Sequence, residues 1–265
     1  MKAKIIDGNK EIELPKQFNE EIRPDLIKRA FLVIQSNNRQ PYGSFEEAGQ
    51  RHSAELSKRR RKYRGSYGKG ISRVKRKIMT RRGTQLNWVA AVTPNVVGGR
   101  RAHPPKPEKN WSQKINVNER RKAIRSAISA TANKDYVIKR GHKSEMIPII
   151  VSDKIEKISK VRELKKLLLS IGLKDELERD SVKTIRAGKG TMRGRKYKRK
   201  KGILFVVSND CGLMQGAKNL AGSDIVKVNE LNVNLLAPGG HPGRLCIWSE
   251  SAINKMAKEN LFYKK

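Results

Sequence analysis

The chain has 265 residues, of which 60 are Lys or Arg and 25 are Asp or Glu, giving a formal charge of +35. A field of that strength exceeds what solubility requires and selects a polyanionic partner, phosphate-rich nucleic acid first among them. No apolar run approaches the ~18 residues of a membrane-spanning helix, and the two widely separated thiols, Cys211 and Cys246, suit neither a disulfide framework nor a zinc site.

Residues 1–9 read as a short alternating segment rather than a signal peptide, which points to a cytoplasmic protein. Segments 2–6 and 11–14 flank Asp7-Gly8-Asn9-Lys10, the pattern of a small hairpin. A helix is expected from Pro24, with Leu26, Ile27, Ala30, Phe31, Val33 and Ile34 giving a broad apolar face, and it should stop near residues 36–38.

Beyond Pro41-Tyr42-Gly43 the composition changes. Residues 56–107 hold sixteen Lys or Arg and not one Asp or Glu. They lack a sustained apolar period, so the segment is expected to be extended and ordered only by what it touches. Its cations fall in runs: Lys58, Arg59, Arg60, Arg61, Lys62 and Arg64; Arg73, Lys75, Arg76 and Lys77; then Arg81, Arg82, Arg100 and Arg101. Guanidinium forks bridge phosphate oxygens, and the interspersed Tyr63, Tyr67 and Trp88 offer surfaces for unpaired bases. Out and back, about 60 residues reach at most ~100 Å, far enough to penetrate a partner rather than cover it.

After residue 107 a globular pattern resumes. Asn118 suits an N-cap for a helix carrying Ala123, Ile124, Ala127, Ile128 and Thr131. Strands are expected over 147–151, 182–186, 203–207, 225–228 and 245–248, and helices over 161–171, 213–220 and 249–261, with Gly172 as the helix-ending residue and Ser249 as a helix start. Short, almost wholly apolar strands separated by helices point to an α/β fold: a mostly parallel sheet with helices on both faces, plus a long extended basic internal loop. Residues 1–44 and 110–265 would form the domain and 45–109 the loop. Cys211 and Cys246, in or beside apolar segments, should act as small buried hydrophobes.

A second carboxylate-free span separates Asp180 from Asp210 and includes Lys189, Arg193, Arg195 and Lys196, expected to grip phosphate while connecting two parallel strands without a helix. Lys189 is followed by Gly190 and then Thr191, which misses the phosphate-loop pattern, and the glycines at 188, 190 and 194 miss the dinucleotide fingerprint by one residue. A metal-dependent nuclease needs carboxylates beside its phosphate grips, and both basic segments have none. His52, His103, His142 and His241 are scattered, and His103, in a Pro-rich loop, suits an RNA contact better than ligation. No metal, cofactor, catalytic residue or homo-oligomer is expected.

Several segments in series carry a resemblance. They are Gln40-Pro41-Tyr42-Gly43, Gly98-Gly99-Arg100-Arg101-Ala102-His103-Pro104-Pro105-Lys106, Arg125-Ser126-Ala127-Ile128-Ser129-Ala130-Thr131-Ala132, Gly188-Lys189-Gly190 with Arg193-Gly194-Arg195-Lys196-Tyr197, Asn219-Leu220-Ala221-Gly222, and Leu236-Ala237-Pro238-Gly239-Gly240 with Pro242-Gly243-Arg244-Leu245. Together they resemble the large-subunit ribosomal protein L-four family, in the branch shared by archaea and eukaryotes. The end at Lys265, without a long extension, favours the archaeal side. The resemblance implies a globular domain on the solvent side of the large subunit, a loop threading its rRNA, neighbouring ribosomal proteins as partners, and a loop tip helping to line the peptide exit tunnel beside the nascent peptide. By position that tip falls at 78–91, making Thr84, Gln85, Asn87 and Trp88 the tunnel-lining candidates. A chromatin-like nucleic-acid-binding protein outside the ribosome is the alternative.

Overall fold

The computed structural model describes residues 2–7 and 10–263. The chain divides into two compact units, Met1–Asn38 with Ser112–Lys265, and Arg39–Trp111.

In the first unit, β1 (Lys2–Lys4) pairs antiparallel with β2 (Glu11–Glu13); Ala3 faces inward opposite Ile12, while Lys2 and Lys4 stand opposite Glu13 and Glu11. Gly8 and Asn9 of the expected turn lie outside the described residues. Helix α1 (Pro24–Asn37) begins on its proline, where the missing N–H costs nothing, and buries Ile27, Ala30, Phe31 and Val33. The second unit contributes β3 (Arg76–Arg82) and β4 (Gln85–Ala90).

Helix α2 (Val117–Ala132) is capped by Asn116, whose side chain accepts from the Asn118 backbone N–H, so the cap lies two residues earlier than Asn118. Both asparagines satisfy the composition rule, and only the observed turn decides between them. The second half of α2 is buried nearly all round, because its Ala and Ser residues let neighbouring elements approach closely. The Ser126 hydroxyl accepts from the Arg23 N–H at 2.6 Å.

The short α3 (Lys134–Lys139) leads to β5 (Ile149–Val151) and α4 (Val161–Ser170). Gly172 ends α4 at φ +87°; its N–H reaches Leu169 O, and the Leu173 N–H reaches back to Leu168 O, the paired bonds of a Schellman turn. Next come α5 (Lys174–Ser181), β6 (Thr184–Ile185), β7 (Tyr197–Lys198), β8 (Leu204–Val207), α6 (Leu213–Lys218), β9 (Asp224–Lys227) and α7 (Val233–Leu236). β10 (Cys246–Ser249) and α8 (Glu250–Lys258) follow, with the Ser249 hydroxyl accepting from the Ala252 N–H as the helix cap.

The main sheet is four-stranded and parallel throughout, in the order β5-β10-β8-β9. Its pleat divides the core. Ile150, Leu204, Val206, Cys246 and Trp248 face α1, α2, α7 and α8, while Ile149, Val151, Phe205, Val207 and Ile247 face α4 and α6. Strands apolar on both faces are what a sheet covered on both sides requires. Phe18 packs edge-on against the fully buried Trp248 at 5.1 Å between ring centroids.

The strand expected over 182–186 shrinks to two exposed residues that pair antiparallel with β7, outside the main sheet. The basic span is therefore a hairpin and not a link between parallel strands: its only aliphatic residue in β6, Ile185, is 70% exposed and has no core to join. Cys246 is buried as expected, whereas Cys211 is only half-buried.

The second unit is not extended throughout. β3 and β4 form an antiparallel hairpin around a two-residue turn, Gly83-Thr84, with Gly83 at φ +56° and an irregularity between Ile78 and Thr80. The outgoing and returning limbs lie against each other: Ser44 N–H donates to Pro105 O, and Glu55 bridges to Arg76. Two glycines permit this approach. A Cβ on Gly43 would lie 2.4 Å from Pro107 Cδ, and one on Gly49, at φ +79°, would lie 2.8 Å from Arg100 Cα. A charge count sees none of these backbone contacts, which is why the segment reads as structureless.

Candidate nucleic-acid interface

The second unit carries nineteen Lys or Arg against four Glu. Among the described residues every ion pair lies in the first unit. The cations of Arg39–Trp111 thus repel one another with only four carboxylates in the unit to offset them, a cost that binding a polyanion removes.

Lys58, Arg59, Arg60, Arg61, Lys62 and Arg64 are all exposed. They fan out from a tight turn in which Arg61 adopts φ +55° and the Gly65 N–H donates to Lys62 O. Gly65 itself is buried, with Lys62 O and Arg59 O only 3.0 and 3.1 Å from where its Cβ would stand. Arg73, Lys75, Arg81 and Arg82 are exposed, Arg76 and Lys77 half-buried. Farther along, Arg100 is half-buried, and Arg101 and His103 are exposed.

The rings expected to receive bases hold the chain's own cations. Arg73 and Arg60 lie 4.2 and 5.7 Å from the Tyr67 ring centroid, Lys69 and Arg76 lie 5.2 and 5.7 Å from that of Trp88, and Arg81 lies 5.5 Å from that of Tyr63. The Tyr63 hydroxyl and Arg81 Nε both donate to Gly83 O, which ties the basic turn to the hairpin end. These contacts hold long cationic side chains in place before any ligand arrives, lowering the entropy lost on binding. Sequence reasoning missed a further stack, Tyr42 on Trp111 at 4.7 Å, with Arg39 5.1 Å and Lys109 4.9 Å from the Trp111 centroid. The cation-flanked aromatics at both ends of the excursion were the available signal.

The tunnel candidates do not share one face. Thr84 sits in the turn, Gln85 and Asn87 point to the exposed side of β4, and Trp88 alternates to the half-buried side. In the first unit, Lys189, Arg193, Arg195 and Lys196 are all exposed along the β6–β7 hairpin. Arg186 is spent internally, donating to Arg195 O and Tyr197 O.

The crevice beyond the carboxyl ends of the parallel strands, the usual ligand site of such sheets, is filled from within. There Glu156 accepts from the Ser208 N–H and from the Ser208, Ser249 and Ser251 hydroxyls. Burial would raise the Glu156 carboxyl, but these donors outweigh it and hold it below the usual range.

Sequence comparison gives the family. The profile of the Ribosomal protein L4/L1 family matches residues 12–259. The chain belongs to that family. It is 52% identical to the large ribosomal subunit protein uL4 of Nanoarchaeum equitans over 95% of this chain and 94% of that protein. The uL4 proteins of Archaeoglobus fulgidus and Halobacterium salinarum are 46% and 41% identical, over 97% and 93% of this chain and 99% and 94% of their own lengths. These relatives are archaeal, the side of the L4/L1 family that the sequence favours. No observation supports the chromatin-like alternative. Among the described residues, no helix is long and apolar enough to cross a membrane.

Proposed function

We propose that this chain is a structural, non-enzymatic constituent of the large ribosomal subunit in the cytoplasm. Its second unit inserts among rRNA helices, the β6–β7 hairpin grips rRNA from the first unit, and neighbouring ribosomal proteins complete its surroundings. One observation carries the reading: nineteen cations crowd into Arg39–Trp111 while every ion pair among the described residues lies elsewhere. Lys58, Arg59, Arg60, Arg61, Lys62, Arg64, Arg73, Lys75, Arg76, Lys77, Arg81, Arg82, Arg100, Arg101 and His103 are its phosphate contacts.

Family membership supports a further step, that the β3–β4 turn reaches the peptide exit tunnel. Thr84, Gln85 and Asn87 would face the nascent peptide there, while Trp88 holds Lys69 and Arg76 on the opposite side.

Deleting residues 57–101 tests the reading. The shortened protein should fold and fail to support large-subunit assembly in reconstitution. Normal assembly would overturn the proposed role. For the turn, substitutions at Thr84, Gln85 and Asn87 should change nascent-chain stalling more than subunit yield.

A further inference from the structure

In the first unit, a cavity of about 670 Å³ opens between the end of α3, the end of α5, the segment leading out of the β6–β7 hairpin and the His241-Pro242 turn. Its size lies within the ~300–1,000 Å³ of sites that enclose small organic ligands. Lys139, Arg140, Arg179, Lys200 and Lys201 bring five cations to it. Two of these are compensated: Arg179 pairs with Glu176 and Asp180, and Lys201 pairs with Asp224.

Arg140 is different. Its guanidinium donates to the carbonyls of His241 and Pro238, which fix its plane, and no carboxylate pairs with it among the described residues. Burial, then the nearby charges of Arg244 and Arg179, push its pKa down to about 10. A half-buried, like-charged guanidinium held rigid by two carbonyls is an unfavourable arrangement that an anion would relieve.

The rest of the wall is not cationic. The half-buried Tyr136 and the prolines Pro24 and Pro242 line it. The backbone that carries Tyr136 is closely packed: Gly243, at φ +95°, approaches so near that a Cβ would lie 2.4 Å from Tyr136 O. Arg179 is likewise positioned from beneath, because Glu176 also accepts from the fully buried His142. The cavity thus combines a preformed aromatic and proline wall with fixed cations, the two surfaces that a nucleotide presents in reverse.

We propose that this cavity takes one unpaired nucleotide of RNA, its phosphate on Arg140 and Lys200 and its base against Tyr136 and Pro242. The inference rests on the RNA-binding role proposed above and adds a second mode, in which one flipped-out residue is captured instead of a duplex backbone being gripped. Lys200 lies two residues beyond β7, so a strand tracked by the hairpin leads directly to the cavity.

The test uses the full-length protein, a single-stranded RNA hexamer carrying 2-aminopurine, the same sequence as duplex, and AMP. The single strand should show quenched fluorescence and crosslink to the peptide containing Tyr136. Lys200→Gln, at an exposed position whose side chain has no hydrogen-bond or ion-pair partner among the described residues, and Arg140→Gln should each weaken single-strand binding by about tenfold, the scale of a charge-assisted hydrogen bond. Neutralising Arg59, Arg60 and Arg61 should weaken binding overall while the bound hexamer is still quenched, and Lys165→Gln, at an exposed position of α4 outside both sites, should change neither.

Unchanged binding in both cavity variants, with loss in the Arg59–Arg61 variant, would overturn the cavity and leave the rRNA reading standing. Equal quenching with duplex would also overturn it. AMP binding as tight as the hexamer would replace RNA by a free nucleotide as the ligand. Absence of RNA binding in every form would instead defeat the functional reading itself. Lys200→Gln keeps the test valid should Arg140→Gln fail to fold.

Discussion

Arg244 Nη2 donates to Asp224 Oδ2 at 2.6 Å from a side chain that is wholly buried. Its Nε reaches Gly202 O at 2.8 Å and its Nη1 reaches Leu235 O at 2.9 Å, so one guanidinium joins the approaches to β8, β9 and the end of α7. In a chain of +35, this arginine serves the fold and not the partner.

Arg244→Ala should therefore destabilise the first unit by roughly 3 kcal/mol, the lower end of the cost of breaking a buried pair, because Asp224 keeps some water and its contact with Lys201. Urea unfolding measures this. Burial would raise the Asp224 carboxyl, yet Arg244 and Lys201 hold it below its ordinary value. Its contribution is present above the unfolded pKa and fades as pH falls through the folded one, so wild type should lose more stability than Arg244→Ala on acidification.

Asp180 titrates in the opposite sense. Burial first, then the charge of Glu176, push it up to about 6 despite Arg179. The protonated form suits the fold, so its stabilisation is complete below pH ~4 and is lost as pH rises through about 6. Asp180→Asn should flatten that part of the pH–stability curve, as followed by thermal unfolding from pH 4 to 7. The same carboxylate explains Gly202, where a Cβ would stand 1.6 Å from Asp180 Oδ2.

The limbs of the second unit depend on close backbone approach. Gly49→Ala combines a left-handed conformation with a clash against Arg100 Cα, and it should speed amide exchange at residues 47–51 and 99–101 while leaving β8 and β10 protected. Uniformly faster exchange would mean that the two units unfold together.

Replacing 39–111 by a short flexible linker should not destabilise the first unit, since a shorter connection lowers the entropy of closure. Asn37 Oδ1 already accepts from the Gln113 N–H at 2.9 Å, holding the two ends of that unit together. Calorimetry should show one cooperative transition at or above the wild-type midpoint.

Much of the first unit was legible in its sequence because its signals are local. Apolar runs such as 204–207 and 246–248 have no alternative to burial on both faces, and Gly172 and Ser249 terminate and start helices by their own chemistry. What escaped notice depends on distant partners. The buried His142–Glu176 pair joins residues 34 apart, and Arg244 looks like any RNA-facing arginine until Gly202, Asp224 and Leu235 surround it. The candidate interface was legible as charge and invisible as geometry: the β3–β4 hairpin turns on Gly-Thr and not on a common hairpin pair, and its rings are occupied by neighbouring cations.

The most direct test of the central claim is the salt dependence of binding to large-subunit rRNA, comparing wild type with the variant in which Arg59, Arg60 and Arg61 are all glutamine. Each lost phosphate contact should reduce the slope of log K against log salt by ~0.7–0.9, so a fall of roughly 2 to 3 is expected alongside weaker binding. An unchanged slope would mean that these three exposed guanidiniums meet no phosphate, and would contradict the account.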